Sequence, residues 1–275
     1  MKKKKRLLGA AGLFTLVLFL SGCSTKPVTG NSTGFWDHYI IWNFSRAIVW
    51  LSNLFGGSYG VGIIVFTIII RIIILPLMQY QMNSSRKMMD IQPQMKALQT
   101  KYSSRDVETQ QKLQGEMSKL YKDAGVHPFA SMLPLLVQMP VLIALYQGIQ
   151  RTSVLRSGTF LWMELGKADP YFILPVLAAL LTFATSKLTM MGQVQQSGIQ
   201  NVLLLWGMPV MILFMAISLP SALAVYWVVT NAFSVGQTLL LMNPFKLRAE
   251  REAKEQKKRD LERQLAKARR GKKRK

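Results

Sequence analysis

Arg71 stands inside an almost unbroken apolar run, IIVFTIIIRIIILPLM from 63 to 78. Placing arginine at the centre of a lone membrane helix costs about 2.5 to 3.5 kcal/mol on insertion scales and about 10 to 17 in simulations, so it faces water, a partner or a pathway. A guanidinium can also snorkel, and Met78 at the end of the run is only roughly 10 Å of helix away. None of the long apolar runs contains Asp or Glu to pair with Arg71, which implies a hydrated cavity. Candidate lining groups recur at helical spacing: Thr67 one turn before Arg71, Gln138 in a second run, and Trp227, Asn231, Ser234 and Thr238 stepping by four, three and four along one stripe. The chemistry these types support is hydration and binding. The competing account is ordinary interhelical glue, worth about 0.6 kcal/mol per polar side chain.

Covalent catalysis has little to work with. The chain of 275 residues has one cysteine, Cys23, and two histidines, His38 and His127, which disfavours a metal cluster or a histidine relay. No GxGxxG, P-loop, GxSxG or HExxH motif occurs, so neither an enzyme nor a cofactor is expected. Cys23 has its own context: KKKKR at 2–6, an apolar stretch to residue 20 and then Leu-Ser-Gly-Cys. This pattern reads as a removable signal peptide over 1–22, and its last four residues look like a bacterial lipobox, which would imply lipidation of Cys23.

The elements that must position Arg71 follow from patterning. Runs at 58–80, 128–150, 170–188, 200–218 and 221–242 are each apolar and near the length needed to cross a bilayer. Before them, the extracytoplasmic segment 23–57 carries Trp36, Ile40, Phe44, Ala47, Ile48, Leu51 and Phe55 at helical spacing. That suits a helix in the outer membrane interface, or one packed on the outer ends of other spans. Residues 81–127 are too polar to span. Met88, Ile91, Met95, Leu98 and Tyr102 form one helical pattern there, and Leu113, Met117, Leu120 and Tyr121 a second. A helical hairpin is expected, with Ser103-x-x-Asp106 as a cap, Gly125 as a stop, and Pro93 near a helix start or at a kink.

Orientation comes from the basic loops. Segment 81–127 holds eight Lys or Arg and the tail 243–275 holds fifteen, whereas 151–169 holds three and 23–57 two. The basic sides belong in the cytoplasm, which places the N-terminus outside, the C-terminus inside and the loop 189–199 inside. The tail reads as a polyanion contact, either anionic lipid or ribosomal RNA, or as a solvated topology signal.

Three stretches carry a family resemblance: VFTIIIRIIILPLMQYQMNSSRKMMDIQPQMKALQTKY at 65–102, HPFASMLPLLVQMPVLIALYQGI at 127–149 and LPSALAVYWVVTNAFSVGQTLLL at 219–241. They resemble the YidC/Oxa/Alb membrane protein insertase family, in the short lipoprotein form of single-membrane bacteria. The resemblance covers about residues 55–245 and implies an all-α integral membrane protein, five transmembrane helices around a hydrophilic groove. It implies insertion and folding of nascent membrane proteins, alone or with the Sec translocon. Arg71, Thr67, Gln138 and Trp227 match groove positions of the family; Asn231 and Ser234 join them from the polar stripe. The hairpin would meet the ribosome or signal recognition particle machinery. A small-anion transporter or channel, which would also use an intramembrane arginine, is the rival, although no inverted repeat is evident.

Overall fold

The computed structural model describes residues 26–127, 129, 132–191 and 199–272; the expected signal peptide over 1–22 and the expected lipidation site Cys23 lie outside the described residues. A π-helical segment Phe35–Ile41 leads into α1 (Trp42–Leu54), followed by α2 (Tyr59–Asp90), α3 (Gln92–Lys101), α4 (Val107–Asp123), α5 (Leu133–Arg151) and a short α6 (Ser153–Arg156). After a two-stranded hairpin, β1 (Thr159–Phe160) and β2 (Met163–Glu164), come α7 (Ile173–Met191), α8 (Ile199–Ser218), α9 (Ser221–Gln237) with a π-helical continuation to Met242, and α10 (Pro244–Lys272). The small hairpin is the one departure from an all-α chain among the described residues.

The apolar runs become helices despite their many β-branched residues, because in lipid every backbone N–H and C=O must be satisfied within the segment. Among the described residues, four helices can cross a membrane by length and composition: α2, α5, α7 and α9 with its continuation. The fourth expected segment, 200–218, lies within the 20-residue helix α8 (Ile199–Ser218), of which Leu205–Ser218 is the described apolar stretch. The count of five spans is therefore not established by length alone.

At 32 residues α2 is about 48 Å long, well beyond the roughly 30 Å hydrocarbon core. It carries the first expected span and the start of the expected hairpin as one helix. The single pattern from Met88 to Tyr102 is broken at Ile91, and Pro93 sits in the first turn of α3, where its missing N–H costs nothing. The cap of α4 is Asp106 itself, whose Oδ1 accepts from Thr109 N at 2.8 Å, rather than Ser103. Gly125 ends α4 as expected, at φ 61°, with Val126 N returning to Tyr121 O.

The core lies where α1, α2, α5, α7 and α9 meet, and α9 runs through it with every residue from Ser221 to Trp227 buried. α1 and the π-helical entry before it pack on α2 and α5 through Ile41, Ser45, Ile48, Leu51 and Ser52. The contact is close: a Cβ at Gly62 would meet Ser52 Oγ at 2.0 Å and the Ile48 carbonyl at 2.8 Å. The expected stripe held at Ile48 and Leu51, but Phe55 is exposed and Ile41 is buried instead of Ile40. Ile40 and Ile41 fall in the π-helical entry, whose i→i+5 bonds turn the chain at a different period from the 3.6 of the stripe, and Phe55 lies just past Leu54, the last residue of α1.

One end of the helix bundle is tied by charge and by caps. Arg151 forks onto Asp37, with Nη1 3.0 Å from Oδ1 and Nη2 2.5 Å from Oδ2, while its Nε donates to the Lys26 carbonyl at 2.7 Å. Asp169 accepts from Leu174 N at 2.8 Å, Tyr171 N at 3.1 Å and the Trp162 indole at 2.9 Å. Burial opposes ionisation of that carboxyl, but those donors outweigh it and hold its pKa below the ordinary value. The Lys167 carbonyl in turn accepts from Ser221 N and Oγ, satisfying the start of α9.

Candidate functional site

Three helices bring one polar chain together. Arg71 from α2 donates through Nη2 to Gln138 Oε1 on α5 at 3.3 Å, and Gln138 Nε2 donates to the Tyr226 hydroxyl on α9 at 2.6 Å. Arg71 and Gln138 are half-buried, whereas Tyr226 is 3% exposed. No carboxylate enters the chain, so a positive charge is solvated by neutral dipoles within an apolar stretch.

The other expected site residues are placed differently. Thr67 is 1% exposed and its hydroxyl donates to the Ile63 carbonyl at 2.7 Å, so it lies inside the helix contact. Trp227 is 6% exposed and belongs to the apolar core. Asn231 donates to the Trp227 carbonyl at 2.9 Å and Ser234 to the Thr230 carbonyl at 2.9 Å, each on its own helix. The structure thus joins Arg71 to Gln138 and leaves the α9 stripe bonded back on itself. Thr182 and Thr185 on α7 do the same, to the carbonyls of Ala178 and Leu181.

Sequence reasoning missed Tyr226. Its signal was present, since a phenol in the middle of an apolar run must find a partner for its hydroxyl. The adjacent Trp227 drew attention to the neighbouring face of the same helix. Asp37 and Arg151 were also missed as a pair, being 114 residues apart in a chain where only local spacing was readable.

Apolar helices of spanning length around a half-buried polar chain define a multi-pass, helical membrane protein. The family described as 60Kd inner membrane protein matches residues 50–250, and the chain belongs to that family. It is 63% identical over 256 residues to Membrane protein insertase YidC 2 of Lactiplantibacillus plantarum, covering 93% of this chain and 92% of that one. It is 54% identical over 273 residues to Membrane protein insertase YidC of Enterococcus faecalis, covering 99% and 98%. A solved structure described as an active YidC insertase with its first transmembrane domain resolved superposes with a TM-score of 0.57 at 26% identity. That match covers 75% of this chain and 47% of the longer solved one. These relatives lend no support to the small-anion transporter.

Proposed function

We propose that this membrane protein insertase works through a hydrated recess whose wall is the chain Arg71, Gln138 and Tyr226. The observation that carries the reading is an arginine held at depth by neutral amide and phenol groups rather than by a carboxylate. Such a charge keeps water near it and attracts acidic groups of an incoming client. A wet recess lets a client's polar end leave bulk water without the whole dehydration cost, while its apolar stretch gains free energy by moving into lipid. No nucleotide, metal or covalent step enters this scheme.

In the same reading the N-terminus lies outside, lipidated at Cys23, and α3, α4 and α10 lie in the cytoplasm. The hairpin of α3 and α4 receives nascent chains from the ribosome or the signal recognition particle machinery, and the protein works alone or beside the Sec translocon as both insertase and chaperone. The basic helix α10 holds anionic lipid or ribosomal RNA by counterion release. Asn231, Ser234, Thr67 and Trp227 contribute to the client path when the helices part, since their side chains are now bonded or packed inside.

The test is insertion of a short single-span client into vesicles containing purified protein. Arg71→Ala is expected to lower insertion about tenfold or more, and Arg71→Lys to retain most of it, because charge and hydration matter more than bidentate geometry. Normal insertion of every client by the Ala variant would overturn the recess.

A further inference from the structure

We infer that Tyr226 is a positioning residue for insertion: its hydroxyl sets the Gln138 amide, and the amide holds the Arg71 guanidinium at depth where acidic client segments meet it. This rests on the recess reading above.

The direction of each bond is dictated by chemistry. A guanidinium only donates, so the Gln138 oxygen must be the end that faces Arg71. The amide nitrogen then points the other way and needs an acceptor, and the Tyr226 oxygen stands 2.6 Å from it. A phenol can accept or donate; opposite an NH2 group it accepts. The sequence of bonds therefore runs from a mobile charged head, through a half-buried amide, to a ring fixed in the core.

Anchoring matters because arginine has an escape. Its flexible stem can carry the head toward the membrane edge, and the end of the apolar run near Met78 is within roughly 10 Å. Gln138 opposes that movement only if its own orientation is held. Tyr226 is suited to hold it, because it lies among the continuous buried residues Ser221 to Trp227 of α9, and the start of that helix is tied to the outer loop through Lys167 and Leu165. Without the hydroxyl the amide nitrogen has no acceptor, and the oxygen no longer has a fixed place.

The experiment compares two versions of one single-span client, with an acidic N-terminal segment and with the matching Asn and Gln segment, in vesicles containing the parent, Tyr226→Phe, Gln138→Leu, the double variant or Arg71→Ala. Tyr226→Phe is expected to slow insertion of the acidic client about threefold to tenfold, the factor carried by one ordinary hydrogen bond, and to leave the neutral client within about twofold. Gln138→Leu should match it, and the double variant should be no worse than either, as for residues acting as one chain. Equal losses on both clients with a lowered unfolding temperature would reduce Tyr226 to packing and overturn the proposal. Parent-like insertion of the acidic client by Tyr226→Phe, with Arg71→Ala defective, would overturn it while leaving the recess standing. Parent-like insertion of both clients by Arg71→Ala would remove the recess and the proposal together.

Discussion

Thr67, Asn231 and Ser234 each satisfy a side-chain donor on the carbonyl four residues back, while Gln138 reaches two other helices. The difference is one of length. A hydroxyl or short amide on Cβ or Cγ can close onto its own turn, whereas the longer glutamine spans the gap between helices. At this scale one titration is also readable. Ser104 Oγ and Thr109 N donate to Asp106 and hold its carboxyl down at about 2, below the ordinary 3.8. A carboxylate depressed in the folded state stabilises above its unfolded pKa and loses that contribution as pH falls through the folded one. The cap of α4 should therefore be intact at neutral pH and weaken from about pH 4 down to pH 2. Amide exchange at Thr109, corrected for the intrinsic rate, should show protection falling over that interval. Unchanged protection in Asp106→Ala at neutral pH would dismiss the cap.

Among the elements, the least expected relation is between α1 and the rest. A helix with Tyr39, Trp50 and Leu54 exposed at and near it reads as lying in the interface, yet its other face is clamped on α2 and α5. The Arg151 fork to Asp37 fastens the π-helical entry to the end of α5, with the two side chains only 5% and 20% exposed. Asp37→Asn keeps the shape but strips the charge opposite a buried guanidinium. It should destabilise the protein by about 2 to 3 kcal/mol in thermal unfolding in detergent, toward the lower end for a broken buried pair because Arg151 keeps its bonds to Lys26 and Gln147. Glu108→Gln, which breaks an exposed pair with Lys112, should shift stability by less than about 0.5 kcal/mol. Equal effects from the two substitutions would show that the fork carries no special load.

For the whole molecule, the basic segments follow the helices out of the apolar core: α3, α4 and α10 are polar, and Arg251 at the base of α10 reaches Asp90 at the end of α2 at 3.3 Å. Under the proposed orientation, trypsin added to inside-out vesicles should cut near Arg105 between the hairpin helices and within 243–275, and in right-side-out vesicles should leave both intact. Cutting at Arg105 from the outside would reverse the orientation.

What the chain alone determined is whatever depends on local composition and period. The apolar runs, the polar hairpin with its stop at Gly125, the helix break by Pro93 and the singular charge at Arg71 are all of this kind, because each follows from the solvent a short segment can tolerate. Tertiary structure decided the pairings. Tyr226 with Gln138, and Asp37 with Arg151, join residues 88 and 114 positions apart, and no local period encodes which helix faces which. It also decided that Thr67 and Trp227 lie inside the helix contacts, since a helix in lipid has no uniquely wet face and only its neighbours settle which side is inside.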